Sequence, residues 1–333
     1  MERAPTPDRA LQDSLGRDLH YLRLSVTESC NLHCEYCLPE GCSRLPSGAP
    51  LTFAEIGRLL DAFASLGFWK VRLTGGEPTL RRDLVELVRR AAATPGVGRV
   101  GLTTNGLRLA ELAGPLREAG LSTVNVSLDS LDGARFQRIT GSERIDRVVA
   151  GVEAALRAGV PSVKVNVVLL GDLADGEIDR FLAWTQSHPV DVRFIELMET
   201  GSNRALFERA RLPAARVREK LLAAGWAALP PDRDDGPATL YARAGHRGKA
   251  GLISAYADGF CASCNRLRVS ATGDLRLCLY GREHVPLRPL LQRDEDRAEL
   301  AALIEASVKR KPASHLLRER ECGATQSLAT IGG

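Results

Sequence analysis

The chain reads as an α/β protein, a partial (βα)6 TIM-type barrel with a smaller C-terminal α+β region closing its open side. Three features predict this. Short β-branched runs alternate with longer amphipathic stretches between about residues 20 and 200. The units are evenly spaced, which favours a barrel over a doubly wound sheet. The pattern then changes character after residue 200.

The strand-like runs are HYLRLSV (20–26), KVRLTGG (70–76), GRVGLTTNG (98–106), LSTVNVSLD (121–129), PSVKVNVVLL (161–170) and VDVRFIELM (190–198). Between them FAEIGRLLDAFASLG, RDLVELVRRAAA, RLAELAGPLREAG, RVVAGVEAALRAG and GEIDRFLAWTQSH carry apolar residues at helical spacing. Six units are two short of a closed eight. Next, a helical LPAARVREKLLAAG leads into LPPDRDDGPA (229–238), whose Pro, Asp and Gly mark a linker. Strand-like ATLYARA, GLISAYA, NRLRVSA and DLRLCLY follow, then a polar helix, EDRAELAALIEASVKRK, and a tail ending SLATIGG. The expected division is an N-terminal extension over 1–19, the barrel over 20–200 and a C-terminal region over 201–333.

Composition narrows the function. With 333 residues, 44% hydrophobic and 26% charged, the chain is globular and large enough for a full core. A net charge of +4 gives no argument for nucleic acid or an anionic membrane, so any anion site is local. Only six of the 45 cations are lysine, so a single arginine is weak support for such a site. No run of eighteen apolar residues is present, and MERAPTPDRALQDSLGRDLH lacks the apolar core of a secretory signal. A cytoplasmic enzyme is expected, and there eight cysteines point to metal or redox chemistry before disulfides.

Six cysteines form two triads, Cys30, Cys34 and Cys37 in CNLHCEYC and Cys261, Cys264 and Cys278 in CASCNRLRVSATGDLRLC. Structural zinc needs four protein ligands, so each triad is one short. His33 fills the gap in the first triad on a zinc reading, and His284 lies six residues beyond the second. A four-iron cluster uses the deficit: three thiolates hold three irons and the fourth stays open to an outside ligand. Cys42 and Cys322 belong to neither triad and are expected to be structural or incidental. Arg266 and Arg268 follow Cys264 directly, crowding cations against the second triad. Arg23, Arg72 and Lys164 lie on barrel strands, where alternation can turn them inward, and an inward cation requires an anion or an acidic partner. Polar residues cluster at strand ends, the working face of such a barrel, although caps and turns account for part of them. No P-loop occurs, and the G-x-G-x-x-G at Gly96, Gly98 and Gly101 precedes a strand, the wrong context for a dinucleotide fingerprint.

The C-x3-C-x2-C loop after the first strand resembles the radical S-adenosylmethionine superfamily. With VRLTGGEPTLRRDL, GLTTNG, VNVSLDSLD, VKVNVV, RFIELM, CASCNRLRVSATGDLRLCL and the final IGG in order, the chain from about residue 14 to 333 resembles the molybdenum cofactor biosynthesis protein A family, the GTP 3′,8-cyclases. The resemblance implies two 4Fe-4S clusters, one on each triad, and S-adenosyl-L-methionine as cofactors. It assigns Gly75, Gly76 and Glu77 to the amino end of S-adenosylmethionine, Tyr36 to its adenine, and Ser127 and Met198 to its nucleoside. The glycines let backbone approach a ligand closely, and Glu77 either fixes the loop or accepts from an ammonium group. It assigns Arg23, Arg72, Thr103, Lys164, Arg266, Leu267 and Arg268 to GTP, and gives Arg23, Arg266, Arg268, Gly332 and Gly333 a part in catalysis, the last two by entry of the tail into the active site.

The implied reaction begins with an electron from the first cluster, which cleaves the sulfonium to methionine and a 5′-deoxyadenosyl radical. That radical takes the C3′ hydrogen of GTP, and the resulting carbon radical attacks C8 of a guanine held on the second cluster. The product, 3′,8-cyclo-7,8-dihydro-GTP, belongs to the first step of molybdenum cofactor biosynthesis. The implied partners are a reductant such as flavodoxin or ferredoxin, the downstream cyclic pyranopterin monophosphate synthase, and a second copy of the chain in a homodimer. No nucleic acid or membrane partner is expected. The chain departs from the family at Leu38, often Met there, and at TGSER (140–144), where the family carries an asparagine-rich loop. Neither departure is expected to touch a cysteine or a proposed cation.

Overall fold

The structure, a computed structural model, describes residues 11–37, 48–171, 175–231 and 236–331. All six expected strands form: β1 (Tyr21–Ser25), β2 (Lys70–Thr74), β3 (Arg99–Thr104), β4 (Thr123–Ser127), β5 (Ser162–Leu169) and β6 (Asp191–Glu196). They pair in parallel and in sequence order. Helices α1 (Phe53–Ser65), α2 (Leu84–Ala92) and α3 (Leu109–Glu118) return the chain between the first four strands. Two helices, α4 (Gly133–Thr140) and α5 (Ile145–Arg157), link β4 to β5, and α6 (Asp175–Ser187) links β5 to β6.

Strand alternation separates two environments. Leu22, Leu24, Val71, Leu73, Leu102, Val124, Val126, Val165, Val167, Val192 and Phe194 are almost fully buried in one apolar core, with the inner helix faces. Each such side chain contributes about 1.5–3 kcal/mol. The alternate residues turn into the barrel and are largely polar.

The C-terminal region does more than cover an opening. Strand β7 (Lys249–Ile253) pairs in parallel with β6, and β8 (Arg266–Val269) pairs in parallel with β1, so the region adds one strand to each edge. Eight parallel strands result, in the order β8-β1-β2-β3-β4-β5-β6-β7. Antiparallel strands extend both ends, Thr239–Ala242 beside β7 and Asp274–Arg276 beside β8. No pairing joins β7 to β8 among the described residues. The segment between them carries Phe260, Cys261 and Cys264 to the cavity wall, which puts the second triad at the barrel's remaining gap.

Other contacts fasten this region to the barrel. Thr52 and Glu55 form a capping box at the start of α1, and Arg288 donates to Glu55 at 2.9 Å. Helix α4 is absent from the sequence expectations because GARFQRIT has a weak apolar pattern. Asp132 caps its start, accepting from Arg135 N at 2.9 Å, and Gly141, at φ 72°, ends it. The C-terminal end of α4 lies on the first cysteine loop: His33 N donates to Thr140 O and Glu35 N to Ile139 O, both at 3.0 Å. The TGSER segment therefore meets that loop through Thr140, at His33 and not at a cysteine.

Candidate functional site

Two connected chambers occupy the barrel. The first lies at the C-terminal ends of the strands, bordered by Cys30, Cys34 and Cys37 on the loop leaving β1. That loop is zipped to the one after β2, with Gly76 N donating to Thr27 O at 2.9 Å and Glu77 N to Ser29 O at 2.7 Å. The zipper needs both glycines. A Cβ at Gly75, whose φ is 144°, would stand 2.3 Å from Thr27 O, and one at Gly76 2.3 Å from Ser29 O. The close approach inferred for a ligand is thus also made to the cysteine loop itself.

Glu77 fixes the loops. It is buried and accepts from Thr79 N (2.9 Å), Thr79 Oγ1 (2.6 Å), Thr104 Oγ1 (2.7 Å) and Asn105 N (2.6 Å). Burial pushes its carboxyl upward and these donors oppose the shift. Asn105 in turn donates to Asn31 Oδ1 at 2.8 Å, so the loops after β1, β2 and β3 form one network. Tyr36 lines the chamber and donates its hydroxyl to Asp129 Oδ2 at 2.8 Å, while Asp129 Oδ1 accepts from Val168 N at 2.8 Å. Burial pushes Asp129 up to about 6.

The second chamber fills the barrel interior. Arg23, Arg72, Lys164, Arg266 and Arg268 all line it, as expected, and Cys261, Cys264 and Cys278 border it. Lys70, Arg193 and Lys311 join them, three cations that sequence reasoning missed. Among the described residues, eight cations and no Asp or Glu line this chamber. Burial is the main force against their charges. It drives Lys164 down to about 7, with Arg193 and Arg72 adding repulsion, and Arg268 down to about 9 beside Arg23 and Arg266. Burial alone would raise the Tyr21 phenol, but Arg72, Arg23 and Lys70 pull it down to about 7. Such a cavity is built for a polyanion.

Arg72 is the fixed member, donating to Tyr21 Oη (2.6 Å), Leu102 O (2.8 Å) and Thr123 Oγ1 (2.9 Å). Two of the residues assigned to GTP stand elsewhere. Leu267 points outward into the apolar core, because it alternates with Arg266 and Arg268. Thr103 lines the first chamber, its hydroxyl buried without a hydrogen-bond partner among the described residues. Ser127 lines the first chamber, whereas Met198 lines both, with Asn166 and Ile195. Those three side chains mark where the chambers meet.

Each triad presents three free, half-buried thiols, a donor set of the soft kind that suits iron–sulfur clusters. His33 and His284, the candidates for a fourth zinc ligand, are exposed. Burial, the Asp129 charge and the neighbouring thiols raise Cys34 strongly, and burial with Cys30 pushes Cys37 up to about 12. In the second triad burial raises Cys278, whereas Arg266 and Lys311 overcome burial and draw Cys264 down to about 6.

The second triad is also braced from behind. Lys311 Nζ donates to Arg266 O at 3.0 Å and to Leu277 O. Arg17, held by Asp13 at 2.6 Å, donates to Cys261 O (3.0 Å), Pro312 O (2.7 Å) and Ala313 O (3.0 Å). Cys322 is half-buried, while Cys42, Leu38, Gly332 and Gly333 lie outside the described residues.

Residues 24–185 match the Radical SAM superfamily and residues 190–317 match Molybdenum Cofactor Synthesis C. A GTP 3′,8-cyclase of Stenotrophomonas maltophilia (strain K279a) is 49% identical over 325 residues, covering 97% of this chain and 99% of its own. One from Vibrio vulnificus (strain CMCP6) is 44% identical over the whole of both chains. Among solved structures, Streptococcus suis SuiB bound to S-adenosylmethionine superposes with a TM-score of 0.65 over 88% of this chain and 68% of that one. At 14% identity that likeness shows the fold alone. Near full-length identity to the cyclases, on a radical SAM barrel that carries two cysteine triads, places the chain in the GTP 3′,8-cyclase family of radical S-adenosylmethionine enzymes.

Proposed function

We propose that the protein converts GTP to 3′,8-cyclo-7,8-dihydro-GTP, binding S-adenosylmethionine in the first chamber and GTP in the second. One observation carries the reading: among the described residues, eight cations and no carboxylate line a chamber that meets the first at Met198. Cys30, Cys34 and Cys37 would hold a four-iron cluster that, when bound and reduced, supplies the electron for cleaving S-adenosylmethionine. Cys261, Cys264 and Cys278 would hold a second cluster with an open iron for the guanine.

The protein's own part is binding, orientation and exclusion of water. Tyr36 and Ser127, with Met198 at the boundary, hold the nucleoside end of the cofactor. Gly75, Gly76 and Glu77 form the loop at the amino end of the cofactor, and Glu77 also ties that loop to the one after β3. Arg23, Arg72, Lys164, Arg266 and Arg268 hold the triphosphate, with Lys70 and Arg193 beside them. The Arg forks match phosphate oxygens bidentately. A flavodoxin- or ferredoxin-type reductant, a cyclic pyranopterin monophosphate synthase acting next, a homodimeric state and a cytoplasmic setting complete the proposal.

The test is anaerobic incubation with reductant, S-adenosylmethionine and each nucleoside triphosphate in turn. Only GTP should give a cyclised nucleotide together with 5′-deoxyadenosine, and the purified protein should hold about eight irons and as much sulfide for two four-iron clusters. About four irons would remove the second cluster, and stoichiometric zinc in their place would overturn the reading.

A further inference from the structure

Asn203 stands at the N-cap position of a helix, α7 (Arg204–Ala210), just after the end of β6. An asparagine there ordinarily turns its side-chain oxygen onto the first free N–H groups of its helix. Asn203 makes no such bond. Its Oδ1 accepts from Thr200 N at 2.8 Å, while its Nδ2 donates to Tyr36 O at 3.0 Å and to Met198 O at 3.1 Å. A side-chain amide has two N–H donors and one carbonyl oxygen, so one orientation of the group serves all three partners and both donors go to these two carbonyls. The residue is 2% exposed, which keeps water from competing for them.

The two carbonyls belong to different walls of the first chamber. Tyr36 lies on the loop after β1 and Met198 beyond the end of β6, and both line that chamber. One buried amide therefore fixes the spacing of two segments far apart in the chain. Tyr36 is held at its other end as well, because its hydroxyl donates to Asp129 Oδ2 at 2.8 Å, so the ring is fixed between two anchors. A methionine side chain is unbranched and adaptable, so what can be fixed at Met198 is its backbone, and Asn203 fixes it. The turn that carries Asn203 is itself backed by the C-terminal segment. Gly201 N donates to Thr325 O at 3.0 Å, and Ser202 donates to Gln326 O from its amide (3.2 Å) and its hydroxyl (2.6 Å).

We propose that Asn203 is a positioning residue for S-adenosylmethionine, which by holding Tyr36 O and Met198 O on one amide sets the gap that receives the nucleoside end. The proposal rests on the reading that the first chamber binds S-adenosylmethionine with Tyr36 and Met198 at its nucleoside. No contact between Asn203 and the cofactor is required. Walls already in place lower the ordering cost of binding, and without the clamp the nucleoside must draw them together itself. The loop of Gly75 and Gly76, assigned to the amino end, follows β2 and is zipped to Thr27 and Ser29, so it does not depend on Asn203. The two ends of the cofactor should therefore respond differently to loss of the clamp.

The test is anaerobic calorimetric titration of the cluster-loaded enzyme with S-adenosylmethionine, 5′-deoxyadenosine, methionine and GTP, comparing the parent with N203A and N203D. Aspartate keeps the size of asparagine and an oxygen for Thr200 N, but as a carboxylate it has no donor for either carbonyl. Both variants should raise the Kd of S-adenosylmethionine and of 5′-deoxyadenosine about tenfold, which is about 1.4 kcal/mol. Affinities for methionine and for GTP should stay at the parent values. Parent-like binding of both nucleosides by N203D would show that Asn203 serves only its own turn, and would overturn the proposal. An equal loss of affinity for methionine and GTP would overturn it too, since that marks a general disruption of the barrel. Where N203A does not fold, N203D against the parent decides. A parent enzyme that binds no S-adenosylmethionine refutes the assignment of the first chamber instead.

Discussion

The Arg72 guanidinium fills the space that a side chain at Gly101 would need, its Cζ lying 2.8 Å from where a Cβ would stand. The two residues are register partners on β2 and β3. Gly101 thus does not serve a dinucleotide fingerprint, and its missing side chain lets a cation fold flat against the inside of the barrel. Thr123 Oγ1 closes the same space at 2.6 Å from that Cβ position, and it is one of the three acceptors that hold Arg72.

Gly101→Ala should therefore displace Arg72 and weaken GTP binding by about tenfold, roughly 1.4 kcal/mol. Iron content and S-adenosylmethionine cleavage should be retained, because neither triad touches this position. Calorimetric titration with GTP measures the first effect and 5′-deoxyadenosine release the second. Parent-like affinity for GTP would remove Arg72 from the phosphate site.

Much of this chamber was legible in the sequence, and what was missed follows from how strands are read. Arg23 and Arg72 stand on strands whose alternation is plain, so their inward direction follows from position. Lys70 lies two residues before Arg72 on the same strand and was within reach of the same rule. Arg193 sits in VDVRFIELM among apolar neighbours and has no local signal that separates an inward cation from an outward one. Lys311 follows a helix, and only tertiary packing brings it behind Cys264. The parallel pairing of β7 and β8 with opposite edges of the sheet was hidden for the same reason, since register across long sequence separations leaves no mark in local pattern. Leu267 was placed by resemblance of a tripeptide, whereas strand alternation sends its side chain to the opposite face from Arg266 and Arg268.

The chamber should also show itself in pH dependence. Lys164 is held down to about 7 by burial and by Arg193 and Arg72, so above that pH it is mostly neutral in the free protein. Phosphate oxygens favour its charged form, so GTP binding should take up a proton above pH 7. Affinity should fall as pH rises from 7 to 9, by at most about tenfold per unit for one proton. Tyr21, at about 7, also titrates in this range and also binds a proton when an anion enters. Calorimetry in buffers of different ionisation heat counts the protons. Lys164→Met should remove one uptake and Tyr21→Phe the other, and proton uptake that survives both changes would assign the effect elsewhere.

The two triads should separate by substitution. Alanine at Cys30, Cys34 or Cys37 should abolish S-adenosylmethionine cleavage. Alanine at Cys261, Cys264 or Cys278 should spare some uncoupled cleavage and abolish cyclised product. Cys322 is half-buried and belongs to neither triad, so Cys322→Ala should leave iron content and turnover unchanged. Loss of iron in Cys322→Ala would show that a fourth thiol had been overlooked.

Gly332 and Gly333 follow a segment that is already directed inward. Ile331 is 2% exposed, and the Leu328 and Ala329 just before it line the first chamber. A glycine pair placed there offers backbone amides without side-chain bulk, which suits a crowded cavity. If the pair completes the active site, deleting it should leave both clusters and S-adenosylmethionine binding intact while cyclisation slows by at least about tenfold, roughly 1.4 kcal/mol of transition-state stabilisation. Product analysis beside 5′-deoxyadenosine release measures the split. Undiminished cyclised product from the shortened chain would make the pair an ordinary frayed end.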